Sequence, residues 1–363
     1  MKKKIGFFRY AINTAREYFI YEEADSLVKY KPVFFFKQLE RINRNIEAYH
    51  LEVFTKDSHT IYFAEDIIKN FQEFVTKSNI KIFHAQFITD AIFYFTFIQN
   101  SKLPFLVNFR GYELSLPWVQ MILPKIFPRI ARIITKSEFQ RNLLISQGYD
   151  KTKIVTMYGG INLKNIPFIR RKINEEDIRI ISAARFVEKK GFETTLNFFY
   201  EVRKKYCSAK LTLIGNGKEK EQIKALIQKL NLTHSVKVLD FMEHHSFIKE
   251  LYDHHIFVLP SKTAKNGNRE GIPNVIKEAM ASGMPVISTY HAGIPELIED
   301  VETGFLVDEN DCNGIAKKFE WILKNNRKTF EICSNARMCV EKKFDSIKNT
   351  NKLELLYDKV LDK

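Results

Sequence analysis

Short apolar runs bounded by polar residues recur along the chain, and stretches of helical period separate them. In the first half, Lys81-Ile82-Phe83-His84-Ala85, Phe105-Leu106-Val107-Asn108-Phe109, Ile130 to Thr135 and Lys153 to Met157 predict strands. In the second half the same reading falls on Ile178 to Ala183, Ala209 to Ile214, Val236 to Leu239, Ile256 to Leu259, Val286 to Ser288 and Gly304 to Val307. The opening, Met1-Lys2-Lys3-Lys4-Ile5-Gly6-Phe7-Phe8, runs into charge at Arg9. It is too short for a signal peptide and predicts a further strand. Alternation of this kind implies an α/β fold, with parallel sheets covered by helices on both faces. Pro167 and a charged cluster interrupt the pattern over Asn162 to Asn174. The expected division is therefore a first Rossmann-like domain over residues 1–168 and a second over 169–345, with a last helical segment over 346–363. A length of 363 residues suits two domains, each burying its own core.

Charge changes this picture only in the first half. Residues 1–172 hold 27 Lys and Arg against 15 Asp and Glu, whereas the remainder holds 30 against 28, so the net +14 sits almost wholly upstream. Such a basic face can attract nucleic acid, an anionic membrane or a polyanionic substrate. No nucleic-acid module signature occurs, which sets the first aside. The run Leu116 to Arg132 mixes aromatics, aliphatics and cations, which suits an interfacial segment; the alternative is a partly buried helix after Pro117. No 18-residue apolar stretch is present, so attachment would be peripheral, on the inner face of the membrane. Cys207, Cys312, Cys333 and Cys339 have no CxxC spacing, which argues against zinc or a disulfide framework and for idle thiols in a reducing cytoplasm.

The densest chemistry lies at Asn268-Arg269-Glu270-Gly271-Ile272-Pro273-Asn274-Val275-Ile276-Lys277-Glu278, which runs on through Ala279-Met280-Ala281-Ser282 to Gly283. Asn274 and Pro273 near its start and Gly283 at its end punctuate a helix. First-turn amides lack intrahelical partners and face a positive dipole, so the Asn274 and Val275 N–H groups suit a phosphate. Glu270 before the turn can accept hydrogen bonds from sugar hydroxyls, and Glu278 one turn on can grip a ribose diol. Two carboxylates beside a diphosphate require cations from elsewhere. Arg185 and Lys190 follow the predicted strand at Ile178 to Ala183, at the end where ligands collect in open α/β sheets. The plainer reading makes each of these charges an ordinary surface group; their order around strand-loop-helix units is what points to a site.

This stretch resembles the paired-glutamate motif of retaining glycosyltransferase family 4, which has the GT-B fold. Pro260-Ser261, Met284-Pro285-Val286-Ile287-Ser288, Gly293-Ile294-Pro295-Glu296-Leu297-Ile298, Arg185 to Gly191, Leu213-Ile214-Gly215-Asn216-Gly217 and Thr303-Gly304-Phe305-Leu306-Val307 carry the likeness as well. It is dense over the second half and thin over the first, where Ile134 to Phe139 and Gly160-Ile161-Asn162 share it. The resemblance is to the type that builds bacterial polysaccharide, which implies a capsule, exopolysaccharide or lipopolysaccharide acceptor. The resemblance implies two Rossmann-like domains facing across a cleft, with the last helix crossing back to the first. It implies a hexosyl transfer from a UDP- or GDP-linked sugar to a hydroxyl of a glycan or lipid-linked glycan, with retained configuration. Glu270, Gly271 and Ile272 would hold the donor sugar and Glu278 the ribose, near Gly215. Arg185 and Lys190 would neutralise the diphosphate. With no Asp-x-Asp motif, no metal cofactor is expected.

Two departures stand out. Where the family has His-Gly-x-Asp, this chain has Arg110-Gly111-Tyr112-Glu113. Arg110 can add phosphate stabilisation, select an acidic sugar, weaken activity, or simply pair with Glu113. The glycine-rich turn after the first strand is replaced by Arg9 to Ile20, a loop of the acceptor side in polysaccharide-building relatives. The rival readings are an inactive sugar-nucleotide binder of the same fold and a sugar-nucleotide epimerase.

Overall fold

A computed structural model describes residues 2–13, 17–41, 45–51, 54–57, 60–62, 65–99 and 101–362. Met1, and Thr14, Ala15 and Arg16 of the early loop, lie outside the described residues. The chain forms two compact units, one of residues 1–160 with 346–363 and one of residues 161–345.

The first unit is built on a parallel sheet. Its strands are β1 (Lys3–Asn13), β2 (Tyr30–Arg41), β3 (Ala48–His50), β6 (Ile80–Ala85), β7 (Phe105–Phe109), β8 (Arg132–Thr135) and β9 (Ile154–Thr156), in the order β3-β2-β1-β6-β7-β8-β9; β4 (Phe54–Asp57) and β5 (Thr60–Tyr62) form a separate antiparallel pair. Helices α1 (Tyr18–Asp25), α2 (Glu65–Lys77), α3 (Ile88–Phe93), α4 (Phe95–Ile98), α5 (Pro117–Ile126) and α6 (Glu138–Ser146) connect them. Strands buried on both faces read as nearly continuous apolar runs, as Phe105 to Phe109 do, where Asn108 alone is polar.

β2 escaped the hydrophobic pattern because Pro32 interrupts it, and a proline argues against a central strand. The register explains the exception. In a parallel strand, alternate N–H groups point to the same neighbour. The Phe34 N–H donates to Glu47 O, toward β3, so the position of Pro32 faces the same side, beyond the pairing that begins at Phe34.

The second unit has the parallel strands β10 (Arg179–Ala183), β11 (Lys210–Ile214), β12 (Val236–Leu239), β13 (Ile256–Val258), β14 (Val286–Thr289) and β15 (Phe305–Val307), ordered β12-β11-β10-β13-β14-β15. Each coincides with an apolar run of the sequence. Helices α7 (Phe192–Lys205), α8 (Lys220–Lys229), α9 (His244–Tyr252), α10 (Asn274–Ala281), α11 (Cys312–Lys324) and α12 (Asn326–Lys343) complete it. Strand order reverses direction between β10 and β13, which opens a crevice at their carboxyl ends.

The last helix, α13 (Ser346–Leu361), belongs to the first unit. Leu353, Tyr357 and Val360 enter the core that holds Ile5, Phe7 and Phe34. Glu354 Oε1 accepts from the Val28 and Lys29 N–H groups at 2.8 and 2.7 Å, and the Tyr357 hydroxyl lies 2.7 Å from His84 Nδ1. These contacts join sequence ends more than 270 positions apart.

Candidate active site at the β10–β13 crevice

The chain leaves β10 through Arg185 and turns at Gly191, whose φ of +67° is left-handed. A Cβ on Gly191 would stand 2.0 Å from Pro260 O, so glycine lets this loop pack against the segment that leaves β13. Gly215, after β11, is equally constrained: its φ is +154°, and a Cβ there would lie 1.9 Å from Ala184 O. Two close backbone approaches thus bring the β10, β11 and β13 loops together.

That packing delivers Lys189 and Lys190 to Glu270. Lys189 Nζ lies 2.9 Å from Glu270 Oε1 and Lys190 Nζ 3.0 Å from Oε2, and all three residues are buried. Burial would raise the Glu270 pKa, but Lys190 and then Lys189 overcome it and hold the carboxyl at about 2. Burial pushes the Lys190 ammonium below its ordinary value, and Glu270 opposes that shift. Lys189 also donates to Asn268 Oδ1 and Arg269 O, at 3.2 and 3.1 Å. Two ammonium groups share one carboxylate, so the buried trio carries a net positive charge. A buried surplus of charge calls for a counter-ion.

The main chain of Glu270 is fixed as firmly as its side chain. Its N–H donates to His291 Nε2 at 3.0 Å, which assigns the ring proton to Nδ1, and Nδ1 donates to Glu309 Oε1 at 2.6 Å. Glu309 accepts in turn from the Thr263 N–H and hydroxyl, at 2.8 and 3.2 Å. Burial holds His291 below its ordinary pKa, against the pull of Glu309, so the ring is neutral.

After Glu270, Gly271 and Ile272 are half-buried and lead to α10, whose N-cap Pro273 supplies no side-chain cap. Asn274 and Val275 form its first turn and leave their amides to a ligand or water. Glu278, on the same helix, is 1% exposed, and its Oε1 lies 2.9 Å from His244 Nε2 at the start of α9. The structure thus pairs Lys190 with Glu270, sets Gly271, Ile272, Asn274, Val275 and Glu278 along the segment that follows Glu270, and holds Gly215 against Ala184, one residue before Arg185. Arg185 is exposed on the rim and makes no contact with the Glu270 carboxylate, though its charge still depresses the Lys190 pKa.

Arg110 belongs to the first unit. Its guanidinium donates to Gln86 O through Nε and to Gln86 Oε1 through Nη2, both at 3.0 Å, and lies over the Phe19 and Phe87 rings. Glu113 instead accepts from the Arg110 backbone N–H at 3.1 Å. The simple Arg110–Glu113 side-chain pair is thus replaced by a backbone cap and a separate guanidinium–amide contact. Sequence reasoning missed Lys189, His244, His291 and Glu309. Lys189 was adjacent to a chosen residue; the others reach the site only through the fold.

Residues 165–338 match the family described as Glycosyl transferases group 1. That match covers most of the second unit. The chain is 32% identical over 222 residues to the amylovoran biosynthesis glycosyltransferase AmsK of Erwinia amylovora, covering 61% of this chain and 54% of that one. It is 31% identical over 194 residues to the putative colanic acid biosynthesis glycosyltransferase WcaL of Escherichia coli, covering 53% and 48%. The chain thus spans about half the length of the curated relatives it matches. Among solved structures, the sucrose-phosphate synthase of Thermosynechococcus elongatus superposes with a TM-score of 0.82 at 16% identity, covering 99% of this chain and 100% of that one. Anabaena HepE, solved with UDP and glucose, gives 0.80 at 15% identity, with 99% and 100% covered. The likeness to these solved structures shows the GT-B fold, with two Rossmann-like parallel-sheet domains.

Proposed function

We propose that the protein transfers a hexosyl unit, with retained configuration, from a UDP- or GDP-linked sugar to a hydroxyl of a bacterial surface glycan or its lipid-linked precursor. The observation that carries this reading is the pair of buried lysines sharing one carboxylate beside the start of α10. A diphosphate supplies the missing negative charge. Lys190, Arg185 and the Asn274 and Val275 amides bind it, and Glu270 with the Gly271 and Ile272 amides holds the sugar. Lys189 stays on Glu270, so Lys190 can turn to the phosphate without stranding a buried carboxylate. Glu278 takes the ribose diol, with His244 sharing its oxygen. Names of relatives support the class: one is named for amylovoran and one for colanic acid biosynthesis, and HepE was solved with UDP and glucose.

In the transfer, the bond from the anomeric carbon to phosphate oxygen breaks, and the nucleoside diphosphate leaves with the electron pair. The acceptor oxygen bonds to the same face of that carbon and gives its proton to the departing phosphate. The cations and helix amides stabilise charge growing on the leaving group, without a metal ion. Arg110 is proposed as a further residue of the transfer chemistry. The site of action is the cytoplasm, with peripheral attachment to the inner face of the membrane.

The test is acceptor-dependent release of nucleoside diphosphate by purified protein, with the product linkage followed by NMR. Transfer with retained configuration, abolished in Lys190→Ala, is the expected result. Epimerisation without acceptor, inverted product, or full turnover in Lys190→Ala would overturn it.

A further inference from the structure

α5 is apolar nearly all round, with Gln120 and Lys125 as its only polar residues. One face serves the core: Val119, Leu123 and Ile126 are buried against the first-unit cluster. A helix apolar on both sides is ordinarily buried on both. Here the second face is open. Trp118 is 43% and Met121 70% exposed, and Pro117, Pro124, Lys125 and Pro128 are exposed at spacings that continue the same face.

Lys125 is exposed on this face, and residues 114–137 contain no Asp or Glu. Among the other cations of that stretch, Arg129 donates to the Ser101 and Leu103 carbonyls, and Lys136 turns inward onto Glu23. Lys153 Nζ donates to Pro128 O at 2.9 Å, and the Tyr149 ring packs on Phe127 at 4.9 Å. The turn they bracket adds exposed Lys151 against one carboxylate, Asp150, which is occupied in capping Thr152. Exposed tryptophan and methionine with Lys125 and Lys153 beside them match the two layers of a bilayer surface, apolar below and anionic above. A protein partner would be expected to offer carboxylates, and a second copy of this basic chain would not complement the charge.

We propose that this face of α5, led by Trp118 and Met121 with Lys125 and Lys153 beside them, docks on an anionic phospholipid bilayer. The tryptophan and methionine enter the headgroup boundary, and the lysines contact lipid phosphates. This names the surface behind the peripheral attachment proposed above and stands apart from the transfer chemistry, because no sugar nucleotide is needed to observe it.

The chain has two tryptophans, so Trp321→Phe leaves Trp118 as the sole reporter. This protein would be mixed with vesicles of phosphatidylcholine, with and without phosphatidylglycerol, then sedimented and its emission recorded. Binding to the anionic vesicles, a blue shift, and quenching by bromolipids are expected. Added salt weakens the binding. In the full chain, the double variant Trp118→Ser/Met121→Ser binds about tenfold more weakly or less, as does Lys125→Glu/Lys153→Glu, each with an unchanged melting temperature. Absence of vesicle binding, equal binding to both vesicle types, binding undiminished in the Trp118/Met121 variant, or an α5-dependent dimer that ignores vesicles would each overturn the proposal.

Discussion

Lys189 and Lys190 are neighbours in sequence and both reach Glu270, yet their removal should differ from the removal of Glu270. Lys190→Ala leaves one lysine on one carboxylate, a balanced pair. We expect turnover to fall by about two orders of magnitude or more while the urea midpoint moves little. Glu270→Gln strands two buried ammonium groups and should cost about 3 kcal/mol or more in the same titration. The carboxyl of Glu270 sits at about 2 against an ordinary 4.5. It is a depressed acid, so its contribution to stability is full above the higher value and is lost as pH falls toward the lower one. His291→Phe removes the acceptor of the Glu270 N–H and should raise the donor KM more than it lowers kcat; His291→Gln, which keeps an acceptor, should restore part of it. Lys190 and Glu270 were legible in the sequence because each sits beside a strand end or a helix start. His291 and His244 were not, since they stand 21 and 34 positions from the glutamates they touch.

At the scale of elements, the loops after β10, β11 and β13 meet through glycines. Gly215→Ala would set a Cβ 1.9 Å from Ala184 O at a φ of +154°. A cost on the order of 3 kcal/mol is expected, and denaturant unfolding would measure it. A neutral result would mean that this loop yields to the added Cβ. The strands of the second unit could be read directly, because strands buried on both faces are short, apolar and bounded by polar residues. β2 could not, because Pro32 is tolerated only through a register that the sequence does not display. The apolar character of α5 was legible too, but that Trp118 and Met121 lie exposed was not, because sequence alone does not say which apolar face is covered.

For the whole molecule, α13 closes the first unit by placing Tyr357 on His84, a link that no local pattern could reveal. Burial holds His84 down at about 3, below the ordinary 6.5. The folded chain refuses a proton that the unfolded chain accepts, so stability is full above 6.5 and falls as pH drops through the window between those values. From pH 7 to 5 this group alone should remove about 2 kcal/mol, and His84→Gln should flatten that slope in melts across the range. In the other unit, the buried surplus of positive charge is proposed to receive a nucleoside diphosphate. A thermal-shift panel of nucleoside diphosphates and nucleotide sugars, run on the wild type and on Lys190→Ala, tests it most directly. The account predicts that at least one of these compounds raises the wild-type Tm and that the variant loses most of the gain. A panel without any stabilising compound, or a gain that survives undiminished in Lys190→Ala, would contradict it.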